Sequence, residues 1–338
     1  MRFIRDTHGG DLCAKYDFSI NVSPLGMSRK VRRAIVSSLK DADRYPDPYC
    51  GKLRSAISAK EGVPTECILA GNGAAELIYA YAAYHAGDKA YILSPTFTEY
   101  ATAFEAFKGE VEYVYGCENI VERQLKSSDT VFVCVPNNPD GLLPSRTQLF
   151  GLVETCRAAG ATLFVDACFY DFTAGAPYLL KELFSYENVF VLQAFTKSYA
   201  LAGVRLGYLM GKAETLQKIS KFVQPWSVSV LAQAAGIAAA CDTKYLIRLR
   251  TVIRKEREYL MNGLKELGYL PYPSCANFLL FEGEKDLAVC LRKRGIAIRV
   301  CDDFIGLVAG NCKKFFRIAV RTHRENSILL KALHEVKR

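Results

Sequence analysis

A lysine and an arginine follow a strongly apolar segment in the second half of the chain. Val189–Leu192 predicts a buried strand, and the small-residue loop after it presents Thr196 and Lys197, with Arg205 eight residues beyond the lysine. Burying a lysine at the end of a strand costs free energy unless its amine is neutral or bonded. A Schiff base between Lys197 and the aldehyde of a cofactor would meet that condition.

A carboxylate occupies the matching position on an earlier strand. The segment LFVDACFYDF places Asp166 at the end of an apolar strand, about thirty residues before Lys197. A carboxylate held there can pair with a protonated pyridine nitrogen. This order of strand and aspartate, then strand, threonine and lysine, indicates pyridoxal 5'-phosphate (PLP) as the cofactor.

A glycine-rich turn before a predicted helix is a candidate phosphate site. The segment GNGAAE contains Gly73, Ala74 and Ala75. Glycine lets the backbone approach an anion, and the first turn of a helix offers free N–H groups and a favourable dipole. Thr196 and Arg205 could add a hydroxyl and a guanidinium to the same phosphate. A turn of this composition is equally typical of an ordinary connection between a strand and a helix.

Two further segments follow predicted strands, where a planar cofactor ring would lie. Phe97, in SPTFTEY, could stack on the ring, although a phenylalanine at the start of a helix is also typical of the core. The segment NNPDG predicts a turn. The amide of Asn138 in this turn is a candidate hydrogen-bond partner for the 3-oxygen of the cofactor.

Composition and charge limit the class of protein. The 338 residues are 50% hydrophobic and 23% charged, which is ordinary for a globular protein. The net charge of +9 is spread over predicted helix faces, so we expect small anionic ligands and no nucleic acid. There is no run of eighteen apolar residues and no apolar secretory signal at the start, so no membrane segment is expected. Twelve scattered cysteines and four histidines indicate buried thiols in a reducing cytoplasm and no metal site.

Apolar runs alternate with helical patterns along much of the chain. Predicted strands cover 90–93, 130–135, 162–165, 189–192 and 206–210, and helices lie near 29–40, 51–61, 74–86, 97–107, 147–159 and 213–222. This alternation predicts an α/β fold with a buried, largely parallel sheet. A long helix near 243–268 then leads to strands at 277–282, 296–299 and 315–320 and to a closing helix from about 324.

These patterns divide the chain into three parts. Residues 41–242 are expected to form a large cofactor-binding domain, and residues 243–338 a small α+β domain. Residues 1–40 are expected to pack beside the small domain.

Six segments occur in the order typical of fold-type I PLP enzymes. They read GNGAAE, SPTFTEY, NNPDG, VDACF, FTKSYALAGVRLGY and FRIAVRTHREN. By these motifs nearly the whole chain resembles the aspartate aminotransferase superfamily, class I/II. The resemblance implies a large PLP-binding domain with a mostly parallel sheet, a smaller α+β domain, and a homodimer.

The resemblance also implies a role for each candidate residue. Lys197 would hold the cofactor and shuttle protons, and Asp166 would keep the ring nitrogen protonated. Asn138 would contact the 3-oxygen, and Phe97 would stack on the ring. The other implied contacts are those of Gly73, Ala74, Ala75, Thr196 and Arg205 with the cofactor phosphate, of Arg317 with the substrate carboxylate, and of Tyr45 with a phosphate in the neighbouring subunit.

The start of the chain favours one branch of this superfamily. His8-Gly9-Gly10 and the segment DFSINVSPLG resemble motifs of the threonine-phosphate decarboxylases of cobalamin biosynthesis. Asp11 and Ser23 stand where those motifs have asparagine. By this resemblance His8 and Asn21 would bind the substrate phosphate. A histidine beside two glycines is also typical of a flexible terminus.

Phe169 and Arg321 favour the same branch. In the related histidinol-phosphate aminotransferases, the position of Phe169 usually holds a tyrosine that hydrogen-bonds to the 3-oxygen of the cofactor. Phe169 cannot donate, and phenylalanine there is similar to the decarboxylase branch, although simple packing variation is an alternative. Arg321, four residues after Arg317, offers a second cation for a substrate with both a carboxylate and a phosphate.

We therefore expect a cytoplasmic PLP-dependent lyase that converts L-threonine O-3-phosphate to (R)-1-amino-2-propanol O-2-phosphate. The alternative is histidinol-phosphate aminotransferase, or a related class I/II aminotransferase that uses 2-oxoglutarate and glutamate. The two hypotheses share a fold and a cofactor and differ in whether a 2-oxo acid is needed. A PLP-dependent regulator is disfavoured, because the sequence shows no DNA-binding module.

Overall fold

The computed structural model describes residues 9–173, 175–176, 180–310 and 312–337. The β-strands of these residues are Tyr16–Asp17 (β1), Ile68–Gly71 (β2), Lys89–Leu93 (β3), Glu110–Val114 (β4), Thr130–Cys134 (β5), Thr162–Asp166 (β6), Val189–Ala194 (β7), Gly207–Met210 (β8), Phe278–Glu284 (β9), Ile296–Ala297 (β10), Arg299–Val300 (β11) and Lys313–Ala319 (β12). Their α-helices are Arg29–Ser38 (α1), Gly51–Glu61 (α2), Gly73–Tyr84 (α3), Glu99–Ala106 (α4), Arg146–Ala159 (α5), Phe195–Ser198 (α6), Ala213–Ile219 (α7), Val230–Ala240 (α8), Thr243–Glu266 (α9), Leu287–Lys293 (α10) and His323–Val336 (α11).

The large sheet is mixed, with a parallel centre. Its strand order is β2-β8-β7-β6-β5-β3-β4. The neighbouring pairs between β4 and β7 run parallel, whereas β8 is antiparallel to both β7 and β2. The connection from β7 to β8 consists of the short helix α6 and a loop. Parallel pairing needs a longer crossover connection, usually a helix, so this short connection favours antiparallel pairing. The predicted α/β class and largely parallel sheet are thus confirmed.

Helices cover both faces of this sheet. Alternation along β5 sends Phe132 to the face covered by α3 and α4, and sends Val131 and Val133 to the opposite face. On the first face lies an aromatic cluster of buried rings, made up of Tyr81, Tyr100, Phe104, Phe132 and Phe164. Within the described ranges, no helix combines the length and the apolar character that crossing a membrane requires.

A smaller antiparallel sheet lies near the end of the chain. Its strand order is β11-β12-β9. The start of the described chain attaches to this part, because β1 pairs with β10 and the backbone of Phe18 hydrogen-bonds to both Ala297 and Ala319 at 2.8 Å. The predicted strands at 277–282, 296–299 and 315–320 correspond to β9, to β10 with β11, and to β12. The division of the chain into domains stays a prediction.

The parallel strands end at a common edge, which carries the predicted site. The carboxyl ends of β3, β5, β6 and β7 lie side by side, as is usual for ligand-binding edges of α/β sheets. Phe97 follows β3, Asn138 follows β5, and Lys197 follows β7, while Asp166 is the last residue of β6. Residues far apart in sequence therefore meet at one edge.

The strands β2 and β4 and the helix α8 were not predicted from the sequence. β4 alternates glutamate with apolar residues. Among the described strands it pairs only with β3, at the end of the sheet, so its apolar content is low. β2 has four residues and runs directly into the glycine-rich turn. α8 consists largely of alanine, and Ser229 caps its first turn by accepting a hydrogen bond from the Ala232 N–H.

Candidate active site

A cavity of about 310 Å³ opens at the carboxyl edge of the large sheet. The predicted site residues that line it from the large sheet and its helices are Ala74, Ala75, Phe97, Asn138, Asp166, Phe169, Thr196, Lys197 and Arg205. Asn21, from the N-terminal segment, and Arg317, from β12, line it from the other side. The fold therefore brings most of the predicted residues into one cavity.

Lys197 contributes a side-chain amine to the lining of this cavity. It lies in the four-residue helix α6, directly after β7, and its Nζ is 6.0 Å from the ring centre of Phe169. Burial, and after it the positive charge of Arg317, lowers the pKa of Lys197 from 10.5 to about 8. A lysine with this pKa has an appreciable neutral fraction near pH 7, which suits it to react with a carbonyl group.

Asp166 lies at the base of the cavity with two hydrogen bonds. The side chain is 5% exposed. Its Oδ1 accepts the backbone N–H of Cys168 at 2.9 Å, and its Oδ2 accepts the hydroxyl of Tyr100 at 2.6 Å. Both donors fix the orientation of the carboxylate.

The glycine-rich turn packs against an arginine. Gly73 has a φ of +81°, and a Cβ at this position would lie 2.5 Å from Nη2 of Arg205. Only glycine leaves room for this contact and adopts this backbone conformation without strain. The guanidinium thus lies at the N-terminus of α3, beside Ala74 and Ala75, and the buried Thr196 lines the same cavity. Free helix N–H groups, a guanidinium and a hydroxyl fit a phosphate monoester.

Phe97 and Asn138 line the cavity together with Asp166. Phe97 is only partly buried, and its ring meets that of Tyr100 edge-on at 5.6 Å. Asn138 is 6% exposed, and its Oδ1 accepts a hydrogen bond from Nη1 of Arg317. An aromatic ring and a side-chain amide therefore line the same cavity as Asp166.

Arg317 is a buried cation that retains unused donor capacity. It is 7% exposed, and burial lowers its pKa from 12.5 to about 10. Its Nη2 donates to the carbonyl of Ser19 at 3.3 Å, whereas its Nε finds no hydrogen-bond partner within the described part of the chain. A buried donor without a partner is costly, so Arg317 is suited to bind an anionic ligand.

Sequence reasoning missed a second arginine of the cavity. Arg299 on β11 is the register partner of Arg317 on β12, and both line the cavity. Nη2 of Arg299 donates to both carboxylate oxygens of Asp303, at 2.7 and 2.6 Å, and this pair fixes the orientation of the guanidinium. The available signal was an arginine inside the apolar strand pattern IAIRV. Tyr100, Asp303 and Phe304 were also not anticipated.

Two of the remaining predicted residues, Arg321 and Tyr45, are not among the residues that line the cavity. Arg321 pairs with Glu325 at 2.8 Å and is not among the residues that line the cavity. Tyr45 is 80% exposed, and its ring is 4.7 Å from that of Trp226. His8 lies outside the described residues. Asn21 lines the cavity, and its buried Oδ1 has no partner among the described residues. The roles of all these residues stay predictions.

Comparisons with known proteins agree with this arrangement. A model of the family "Aminotransferase class I and II" matches residues 14–333. A threonine-phosphate decarboxylase of Salmonella typhimurium is 34% identical over 333 residues, which cover 95% of this chain and 90% of that protein.

Solved structures of the same fold include two similar enzymes. A histidinol-phosphate aminotransferase from Clostridium acetobutylicum superposes with a TM-score of 0.88 at 28% identity, covering 95% of this chain and 99% of that chain. The L-threonine-O-3-phosphate decarboxylase from Porphyromonas gingivalis superposes with a TM-score of 0.84 at 25% identity, covering 95% of this chain and 98% of that chain. Enzymes of this family depend on PLP, and the lysine, the carboxylate and the phosphate-binding groups of the cavity fit this cofactor. The chain therefore belongs to the class I and II aminotransferase family of PLP-dependent enzymes.

Proposed function

We propose that this enzyme decarboxylates L-threonine O-3-phosphate and releases (R)-1-amino-2-propanol O-2-phosphate, the aminopropanol precursor of cobalamin. The observation that carries the proposal is the arginine pair Arg299 and Arg317, which are register partners in one cavity. A substrate with a carboxylate and a phosphate needs two cationic partners. Similarity to the Salmonella typhimurium decarboxylase over most of both chains supports the same reaction.

The cavity residues suggest how PLP would be held. Lys197 would bind the cofactor aldehyde, and Asp166 would pair with the ring nitrogen. Phe97 would lie against the ring, and the amide of Asn138 would contact the 3-oxygen. The remaining group, at the cofactor phosphate, would comprise the first turn of α3 from Gly73 to Ala75, Thr196 and Arg205.

The anion sites would select which bond of the substrate breaks. Bound PLP supplies an electron sink that labilises whichever Cα bond stands perpendicular to its ring. Arg317 and Arg299, fixed on neighbouring strands, would hold the two anionic groups and so set the orientation of Cα. Asn21, buried on the same wall, and His8 would add contacts to the substrate phosphate. Arg321 would reach the substrate only if its pair with Glu325 opened.

Lys197 would complete the reaction by moving one proton. When the bond between Cα and the carboxylate breaks, CO₂ leaves and the electron pair of that bond stays with Cα. Cα must then bind a proton. The amine of Lys197, whose pKa is about 8, can carry a proton near neutral pH and give it up readily. Overall one proton is consumed and one CO₂ is released for each aminopropanol phosphate.

Phe169 supports decarboxylation over transamination. Its ring lines the cavity beside Lys197 and meets Phe278 edge-on at 5.0 Å. Phenylalanine offers no hydroxyl to the 3-oxygen of the cofactor, so Asn138 would be its main side-chain partner. The usual tyrosine of histidinol-phosphate aminotransferases would add a second donor there.

The second candidate is histidinol-phosphate aminotransferase, or a related aminotransferase using 2-oxoglutarate and glutamate. The structural similarity to the Clostridium acetobutylicum enzyme favours it. Two arginines could also hold the two carboxylates of 2-oxoglutarate. This candidate requires a 2-oxo acid, whereas the decarboxylase does not.

We further propose a homodimer that works in the cytoplasm. Tyr45 and Trp226 form an exposed aromatic pair outside the cavity of their own subunit. In a dimer Tyr45 would reach the cofactor phosphate of the neighbouring subunit. Exposed aromatic side chains of this size are typical of subunit contacts.

Substrate comparison tests the proposed function. Purified enzyme loaded with PLP is assayed with L-threonine O-3-phosphate, with L-threonine, and with histidinol phosphate plus 2-oxoglutarate. We expect kcat/KM to be at least about 100-fold higher for the phosphorylated amino acid than for L-threonine, because one charge-assisted anion site goes unused with the latter. Turnover restricted to histidinol phosphate with 2-oxoglutarate would replace the decarboxylase with the aminotransferase.

A further inference from the structure

Tyr100 is in direct contact with Asp166, the carboxylate proposed to pair with the ring nitrogen of the cofactor. Its hydroxyl donates to Oδ2 of Asp166 at 2.6 Å, and both side chains are buried. Burial, followed by the negative charge of Asp166, raises the pKa of Tyr100 well above 10. The phenol therefore stays protonated at any working pH, and Tyr100 is the donor in this bond.

The ring of Tyr100 is held firmly in place. It stacks on Phe132 at 5.0 Å with an angle of 16° between the planes. Its edge-on contact with Phe97, at 5.6 Å, reaches the aromatic residue that lines the cavity. The buried side chain of Tyr100 thus contacts both Phe97 and Asp166.

The bonds of Asp166 leave room for one more donor. Its Oδ1 accepts from the Cys168 N–H and its Oδ2 from Tyr100, and a carboxylate has about four lone-pair positions. The other titratable groups that interact with Asp166 are the thiols of Cys134 and Cys168 and the amine of Lys197. Burial raises the pKa of both thiols, so they stay neutral. Tyr100 is therefore the uncharged side chain best placed to orient the carboxylate of Asp166.

We infer that Tyr100 is a positioning residue, whose hydroxyl holds the carboxylate of Asp166 in the orientation that would pair it with the ring nitrogen of the cofactor. The inference depends on the use of PLP and not on which substrate reacts. Without the hydroxyl, the buried carboxylate would lose the donor to its Oδ2 and would be held less firmly in this orientation. It would then be a poorer partner for a protonated ring nitrogen.

The test compares Tyr100→Phe with a matched control, Tyr81→Phe. Tyr81 belongs to the same aromatic cluster and is fully buried. Its hydroxyl hydrogen-bonds to Thr130 Oγ1 at 3.0 Å and not to Asp166, so Tyr81→Phe removes a buried hydroxyl away from the carboxylate. Two readouts need no substrate: the Kd of the apoprotein for PLP, and the pH midpoint at which the visible absorbance of the bound cofactor changes. Thermal unfolding of both apoproteins reports the structural cost of each substitution.

We expect Tyr100→Phe to raise the Kd for PLP on the order of tenfold and to shift the absorbance midpoint. Tyr81→Phe should change thermal stability but leave both readouts within about twofold of wild type. In the Asp166→Asn background, Tyr100→Phe should have no further effect on either readout. Unchanged readouts in Tyr100→Phe, or equal changes in Tyr81→Phe, would overturn the inference.

A folding failure would also be decisive. If Tyr100→Phe does not fold because a buried carboxylate lacks its donor, the Tyr100→Phe/Asp166→Asn variant should fold, since the charge is gone. If the double variant also fails, the hydroxyl serves packing and the inference is wrong. None of these outcomes depends on the reaction, so a failed decarboxylase assay leaves this test intact.

Discussion

The amine of Lys197 and the guanidinium of Arg317 line the same cavity, and their positive charges repel each other. Burial is the largest cause of the lowered pKa of Lys197, and the charge of Arg317 is the next largest. The residue that would hold the substrate carboxylate thereby also helps to set the proton affinity of the residue that would move protons. If both residues have the proposed roles, substrate binding and proton transfer would be coupled through this one pair.

Replacing Arg317 should raise the pKa of Lys197. In Arg317→Gln the repelling charge of Arg317 is gone, and burial together with the positive charge of Arg205 still keeps the pKa of Lys197 below 10.5. Because the neutral amine is the form that would react with the cofactor aldehyde, the pH dependence of PLP uptake by the apoprotein should move to higher pH. Absorbance-monitored uptake between pH 6 and about pH 10 measures this shift.

A control separates this effect from a general loss of charge. Arg294→Gln removes a surface guanidinium whose Nε lies 3.7 Å from Glu335, outside the cavity. Its uptake profile should coincide with that of wild type. An unchanged profile in Arg317→Gln would mean that Arg317 does not act on Lys197.

The stability of the apoprotein should depend on the charge of Lys197. The folded pKa of Lys197, about 8, lies below the ordinary value of 10.5. Between these values the unfolded chain binds more protons, so the contribution of Lys197 to stability rises with pH and is least favourable below pH 8. Lys197→Met should therefore be more stable than wild type at pH 7, by at most about 3 kcal/mol, and this difference should fade toward about pH 10. Urea unfolding of both apoproteins at the two pH values measures it, and a difference independent of pH would contradict the assignment.

Gly73→Ala should weaken cofactor binding by displacing Arg205. The added Cβ would lie 2.5 Å from Nη2 of Arg205, so the guanidinium must leave the N-terminus of α3. Gly62→Ala is the matched control, because Gly62 has a similar φ of +72° but open space around its Cβ position. Both variants should lose about 1–2 kcal/mol of stability from backbone strain, and only Gly73→Ala should raise the Kd for PLP, by about tenfold. Equal Kd values for the two variants would show that Arg205 does not bind the cofactor phosphate.

Arg299→Lys should lower the catalytic efficiency for the phosphorylated substrate selectively. Lysine keeps the charge but cannot reproduce the guanidinium geometry that Asp303 fixes. We expect kcat/KM for L-threonine O-3-phosphate to fall about 10- to 100-fold, with little change in the Kd for PLP. Steady-state rates with L-threonine provide the comparison. An equal loss of kcat/KM with L-threonine would mean that Arg299 stabilises the fold and does not bind the substrate phosphate.

The residues after the parallel strands were predictable because of sheet geometry. Asp166, Asn138 and Lys197 each follow an apolar run, and carboxyl ends of parallel strands share one edge. The strand β4 was not predictable in this way, since its alternating glutamates read as a polar segment.

The missed site residues depend on contacts between distant parts of the chain. The bond from Tyr100 to Asp166 spans 66 residues, and a tyrosine in a helix pattern reads as ordinary core. Arg299 enters the cavity only because β11 pairs with β12 in the register that sets it opposite Arg317. Arg321 was chosen by its spacing from Arg317, but its side chain pairs with Glu325, four residues further along the chain.

The most direct test of the proposed reaction is the fate of the substrate carboxylate. PLP-loaded enzyme is incubated with carboxyl-labelled L-threonine O-3-phosphate in the absence of any 2-oxo acid, and labelled CO₂ and the amine product are quantified. The account predicts equal amounts of CO₂ and 1-amino-2-propanol O-2-phosphate, and neither product from Lys197→Ala. Retention of the label in the substrate, with turnover of histidinol phosphate once 2-oxoglutarate is added, would contradict it.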